Sequence, residues 1–145
     1  MKYYFDTNSD GYLSKKERNN ATLISAKYWK ISSFKGIKYF PNLKYLDCGH
    51  NNLTSLDLSG NKKLEKLNCD YNKFTALSTG NTPKLRTLYC GNNSLKTLNV
   101  SKSRSLQKLF CKPNKLTKLD VRKNKKLTAK GGIIDADKGV KIIKK

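Results

Sequence analysis

From residue 43 onward the apolar positions of the chain recur in one order, four times over. Leu43-x-x-Leu46-x-Cys48-x-x-Asn51-x-Leu53 is followed 21 residues later by Leu64-x-x-Leu67-x-Cys69-x-x-Asn72-x-Phe74. Leu85-x-x-Leu88-x-Cys90-x-x-Asn93-x-Leu95 and Leu106-x-x-Leu109-x-Cys111-x-x-Asn114-x-Leu116 complete the set. The second half of each unit continues with Leu56 and Leu58, Leu77 and Thr79, Leu98 and Val100, Leu119 and Val121. Leu46 and Cys48 alternate with Tyr45, Asp47 and Gly49, which predicts a short strand with one face inward. Periods of about 20–50 residues signal stacked arrays, in which each coil lays its strand about 4.8 Å from the last in a parallel ladder. No single coil can hide its leucines, whereas a stack makes them one continuous core. The asparagines fall where the chain leaves each strand, and their amides can satisfy backbone groups that the turn would leave unpaired.

These units resemble leucine-rich repeats, matching the family's L-x-x-L-x-L-x-x-N-x-L pattern in register. The resemblance implies an α/β-type leucine-rich repeat solenoid: right-handed and curved, with a parallel sheet on the concave side. At 21 residues per coil the convex side has room for extended or 3₁₀ segments rather than full helices. The expected organisation is a cap at 1–20, a divergent repeat at 21–42, four repeats at 43–126 and a C-terminal cap at 127–145. In the divergent repeat, Ile31, Phe34, Ile37, Phe40 and Leu43 keep spacings of three, with Ala21–Trp29 as its degenerate strand half. In the C-terminal cap, Ile133–Ile143 reads as a hairpin turning at Asp137-Lys138-Gly139.

At the front, Asp6-x-Asn8-x-Asp10-Gly11-Tyr12-x-Ser14-x-x-Glu17 fits the pattern D-x-[DN]-x-[DN]-G-x₅-E. Calcium takes six to eight oxygens, here from Asp6, Asn8, Asp10, the Tyr12 carbonyl, Ser14 and bidentate Glu17, while Gly11 permits the sharp turn. The run resembles an EF-hand loop, which implies Ca²⁺ as a stabilising ion. Met1–Phe5 leaves about one turn for an entering helix, which is marginal alone.

Charge changes the picture next. Among 145 residues, Lys and Arg number 31 against 10 acids, a formal charge of +21. That balance favours anionic partners such as nucleic acid, cell-wall polymers, sulfated glycans or acidic headgroups. The basic residues Lys62, Lys63, Lys84, Arg104, Lys125 and Lys126 recur between coils and should stack into a ridge along one edge. Polyanion binding is one reading of the ridge, and a solvated face that blunts strand pairing is the other. Nucleic acid is disfavoured as a partner, because no recognition helix, zinc finger or aromatic single-strand motif accompanies the charge. No run reaches the roughly 18–20 apolar residues of a membrane span.

The outward positions of the strands carry the second set of candidates. Tyr45, Tyr71, Arg86, Tyr89, Lys108 and Phe110 combine the residue types that anchor protein recognition, so a protein ligand on the concave face is expected. The cysteines sit where leucine usually does and lack the short spacing of zinc pairs. Disulfides or a soft-metal ladder remain conceivable there, and buried free thiols acting as small hydrophobes fit better. His50, the single histidine, lies two residues beyond Cys48, and successive strand positions face oppositely, so no Cys–His nucleophile pair forms and no enzyme is expected. The expected function is a non-enzymatic, calcium-stabilised protein-binding scaffold, with polyanion binding as its alternative. The combination resembles secreted or surface-attached bacterial proteins of the broad internalin-like class, so an extracellular or cell-surface location is expected. Met1–Phe5 lacks the apolar core of a secretion signal, so the expectation is a protein not exported or one whose signal has been removed.

Overall fold

The computed structural model describes residues 12–145. Helix α1 (Lys15–Asn20) opens the described chain and is capped by its own sequence. The Ser14 hydroxyl accepts from the Glu17 N–H at 3.2 Å, while a Glu17 carboxylate oxygen accepts from the Ser14 N–H at 2.9 Å. This reciprocal capping satisfies donors that a helix start leaves unpaired.

Among the described residues the larger sheet, the one expected on the concave side, has six parallel strands: β1 (Leu23–Ser25), β2 (Tyr45–Asp47), β3 (Lys66–Asn68), β5 (Thr87–Tyr89), β7 (Lys108–Phe110) and β9 (Ile133–Asp135). The convex side is extended, with β4 (Ala76–Ser78) beside β6 (Thr97–Asn99) and β8 (Lys118–Asp120) beside β10 (Lys141–Ile143). Among the described residues helical structure is confined to α1, a 3₁₀ turn at Ile37–Tyr39 and α2 (Lys125–Thr128). The central residues Leu46, Leu67, Leu88 and Leu109 are in register and buried. Leu43, Leu64, Leu85 and Leu106 are each 0% exposed, in one contiguous core.

The asparagine column closes the coil interior. The Asn72 amide nitrogen donates to the carbonyls of Cys48 (3.0 Å), Cys69 (3.2 Å) and Asp70 (3.2 Å), and its oxygen accepts from the Leu53 N–H at 2.9 Å. Asn51, Asn93 and Asn114 make the equivalent bonds, each reaching a carbonyl of the preceding coil. A second polar column, at Asn61, Thr82, Ser103 and Asn124, is fully buried. Asn61 donates to the Ile37 and Phe40 carbonyls and Asn124 to those of Val100 and Ser103. Thr82 and Ser103 bond through their hydroxyls at 2.9 Å.

The expected C-terminal hairpin does not form. The Asp137–Gly139 turn exists, with Gly139 at φ 86°, but it joins concave β9 to convex β10. β9 pairs in parallel with β7, and β10 with β8. A hairpin would leave the edge of β7 unpaired. As a further coil the segment supplies the missing partners: the Ile133 N–H donates to the Gln107 carbonyl and the Cys111 N–H to the Asp135 carbonyl, at 2.9 and 2.8 Å.

The four cysteines are free thiols, each 0% exposed. The Cys48 and Cys69 thiols donate to the Asn68 and Tyr89 carbonyls of the next strand, both at 3.3 Å. Burial pushes Cys48 and Cys111 up to about 12, and Cys69 and Cys90 well above the usual thiol value. They are therefore protonated, weakly nucleophilic core groups at neutral pH.

Asn72→Ala leaves the Leu53 N–H and buried carbonyls without their partner, at about 1–3 kcal/mol per buried group. A urea melt should therefore show a loss of at least about 3 kcal/mol, and a variant within error of wild type would contradict this accounting. A thiol reagent should label none of the four cysteines in native protein and all of them in denaturant. Because the folded thiols titrate above their unfolded values, their contribution to stability is full below about pH 9 and falls as pH rises toward 12.

Candidate functional site

Strand register sets three outward columns on the concave face. The first runs Leu23, Tyr45, Lys66, Thr87, Lys108, Ile133, and the second runs Ser25, Asp47, Asn68, Tyr89, Phe110, Asp135. A third, just past the strands, contains Gly49, Asp70, Gly91 and Lys112. At the N-terminal half these columns enclose a shallow cavity of about 490 Å³. Leu23, Tyr45 and Tyr89 give it apolar walls, and Asp47, Asn68 and Asp70 give it a polar floor.

Local backbone chemistry holds that floor in place. Asp47 accepts from the Gly49 N–H and Asn68 from the Asp70 N–H, both at 3.0 Å, so each side chain folds over the turn that follows it. Asp70 reaches to the next coil and accepts from the Gly91 N–H at 2.6 Å. A side chain at Gly49 would press within 3.3 Å of both Asp47 and Asn68. Burial pushes the Asp70 carboxyl above the usual carboxylate range, with Asp47 adding to the rise, while the Gly91 N–H and His50 oppose it. The ion pairs among the described residues are Lys38–Asp57, Lys112–Asp135 and Arg122–Asp120, none of them on this floor.

Aromatic rings stack at two places: on Tyr89, which lines the cavity, and in a group outside that lining, along a rim formed by the turns past the strands. Tyr89 and Phe110 stack with centroids 4.8 Å apart and planes 5° from parallel, and the Lys66 ammonium lies 5.5 Å from the Tyr89 centroid. Tyr28, His50 and Tyr71 form a second stack, with centroid spacings of 4.3 and 4.2 Å. All three have positive φ (64°, 53° and 54°), the conformation by which each coil turns off its strand. Half-exposed Tyr71 and Tyr28 present ring surface to solvent at this rim.

The predicted contact residues are thus divided. Tyr45 and Tyr89 line one cavity, and Phe110 joins through its stack on Tyr89. Tyr71 belongs to the rim, beside His50. Arg86 and Lys108 are exposed on the sheet but do not line the cavity. Sequence reading puts Asp47, Lys66 and Asn68 in outward columns without choosing them as contacts, and passes over Leu23, Ser25 and Asp70, the last of which is flanked in its column by two glycines.

His50 and Cys48 lie on opposite sides of the backbone, one stacked between tyrosines and the other in the core. Among the described residues no group of three or more His, Cys, Asp or Glu side chains could hold a metal. Of the predicted calcium ligands, Asp6, Asn8 and Asp10 lie outside the described residues, as does Gly11. Ser14 and Glu17 meet at the start of α1, and Tyr12 is exposed. The ridge residues Lys62, Lys63, Lys84, Arg104, Lys125 and Lys126 are all exposed, at the turns leading into successive concave strands.

Family profiles for leucine-rich repeats match residues 41–81 as two copies and residues 112–133 as a single repeat. No curated protein matches the sequence. Two solved structures are similar. The functional domain of InlJ from Listeria monocytogenes, described as including a cysteine ladder, is 28% identical with a TM-score of 0.57 over 90% of this chain. The Leptospira interrogans leucine-rich repeat protein LIC12759 is 24% identical with a TM-score of 0.74, also over 90% of this chain. The chain spans about a third of each, 32% and 35% respectively. Repeat matches, coil register and these neighbours agree: residues 41–81 and 112–133 match leucine-rich repeats, and the chain folds as a parallel-strand solenoid similar to those of these two bacterial leucine-rich repeat proteins.

Proposed function

We propose that this chain is a protein-recognition scaffold whose concave cavity receives a cationic side chain of its partner. The observation that carries the reading is the floor of that cavity. In a chain of charge +21, Asp47 and Asp70 are brought together without an ion pair among the described residues, between aromatic and aliphatic walls that Lys66 also joins. An arginine or lysine entering there would find carboxylates to accept its hydrogen bonds and rings on which its stem or guanidinium packs. The Tyr28–His50–Tyr71 rim adds exposed aromatic surface of the type that dominates protein interfaces. The repeat fold supports a binding role, since such solenoids present extended concave surfaces.

Calcium stabilisation of the N-terminal end is part of the same proposal. Asp6, Asn8, Asp10, the Tyr12 carbonyl, Ser14 and Glu17 would hold the ion, and it would tie the loop to α1. In support, the oxygen-bearing Ser14 and Glu17 side chains already meet at 2.8 Å. A single loop with modest affinity suits the millimolar calcium outside cells, which favours a secreted or surface location. Fully buried thiols suit it too, being shielded from oxidants.

Titrating N-acetyl-arginine amide into labelled protein should shift the amides of Asp47, Asn68, Asp70 and Tyr89. Asp47→Asn with Asp70→Asn should remove those shifts, and binding should weaken as pH falls through the raised Asp70 value. Scattered shifts, or equal binding by the double variant, would count against the cavity. Wild-type protein should gain roughly 1 kcal/mol in millimolar calcium over chelator. Asp10→Asn, which spares the Ser14–Glu17 cap, should erase that gain; identical wild-type melting in calcium and chelator would end the calcium assignment.

A further inference from the structure

A second cavity, of about 600 Å³, lies at the N-terminal corner of the solenoid, where α1, the 3₁₀ turn and the Gly60–Lys63 turn converge. Its charge is the reverse of the concave floor. Among the described residues Lys15, Arg18, Lys38, Lys62 and Lys63 line it, and no carboxylate does. One of these cations has an acidic partner: Lys38 pairs with Asp57 at 3.0 Å, and that contact leaves four others concentrated in one cleft. Like charges so gathered repel one another, and an anion seated among them relieves that repulsion.

The walls of the cleft are fixed before any ligand arrives. Asn42 donates to the Asn19 carbonyl at 2.8 Å and accepts from the Lys63 ammonium at 2.7 Å, joining helix, loop and coil. Buried Asn61 clamps the 3₁₀ turn through the Ile37 and Phe40 carbonyls. Gly60 packs beneath the Lys38 carbonyl so closely that a Cβ would collide with it. The two cations held in place, Lys63 on Asn42 and Arg18 on the Leu13 carbonyl, lose less entropy on binding.

Two features identify the anion's carrier. First, Tyr39 is 61% exposed at the cleft and Pro41 lies beside it, an apolar platform the size of one sugar ring. A single-stranded nucleic acid would call for several stacking rings along its path, and this cleft offers one. Second, the positive surface continues along the edge. Lys84, Arg104, Lys125 and Lys126 are exposed on the coils that follow Lys62 and Lys63, one coil step of about 4.8 Å at a time. We infer that this corner and the edge beyond it bind a linear glycan bearing phosphate or sulfate esters. Its end sugar would rest on Tyr39, its ester groups among Lys15, Arg18, Lys62 and Lys63, and its chain along the ridge. This site is separate from the concave cavity, so either can fail without the other.

The test uses the full chain with four probes: a size-defined heparin oligosaccharide, a phosphomannan fragment, oligothymidylate and polyglutamate of equal charge. At least one of the two glycans should bind at physiological salt, with affinity falling steeply between about 50 and 200 mM salt. Lys15→Glu with Lys62→Glu, which spares the Lys63–Asn42 bond, should weaken it by about tenfold or more, while the charge-matched Lys138→Glu with Lys145→Glu, at exposed positions of the far end, should cost less than about twofold. Tyr39→Ala should weaken glycan binding and leave polyglutamate binding unchanged. Failure of both glycans, equal or tighter binding of oligothymidylate or polyglutamate, or equal losses in the two charge-reversal variants would overturn the assignment. All the altered side chains are exposed, so an unchanged melting temperature should accompany each result.

Discussion

Everything the molecule presents to a partner rests on side-chain amides that close the interior of each coil. The chain must turn sharply off its strand while still surrounded by leucine, and there main-chain bonds such as His50 N–H to the Asp70 carbonyl satisfy only part of the backbone. Asn51, Asn72, Asn93 and Asn114 take up that deficit, donating to carbonyls of their own and the preceding coil. Each also accepts an N–H from the coil before it. The bonds cross between coils, so they lock neighbours in register as well as satisfying buried groups. On the opposite side of the core, the column from Asn61 to Asn124 braces the other turn. With both corners held, the outward columns of the sheet align closely enough for Tyr89 to stack on Phe110 and for Asp70 to reach Gly91.

Acidic and basic side chains concentrate in different cavities, although Lys66 also lines the concave one. The concave floor collects Asp47 and Asp70 in a chain that is otherwise strongly basic, while the N-terminal corner and its edge collect lysine and arginine. Two surfaces of opposite sign on one rigid stack can serve two ligands of opposite charge together, one a protein side chain and the other a polymer along the edge. The buried thiols take no part in either, since burial keeps them protonated.

The central coils were legible in the sequence because each repeats the same apolar and asparagine positions at constant length, and geometry follows from the period. Where the length changes, the reading weakens. Ile133 pairs with Lys108 across an interval longer than the repeat, and α2 with Gly131-Gly132 takes up the excess, which disguises β9 as half of a hairpin. The second polar column has regular spacing but no common residue type, and it sits beside the lysines that dominate those turns. The cavity was harder still. Its floor joins residues of different coils, and Gly49 and Gly91, which flank Asp70, contribute by lacking side chains. The basic corner depends on α1 folding against Asn42 and the Gly60 turn, a contact no repeat pattern encodes.

Native-state hydrogen exchange at the amides of Leu53, Phe74 and Leu95 tests the central claim most directly, because each donates to the oxygen of a column asparagine. If those asparagines lock the stack, the three amides exchange as slowly as Cys48 and Cys69, whose N–H groups bond directly to the next strand. Exchange orders of magnitude faster than those reference amides would show that the turns open independently of the core, and would contradict the account.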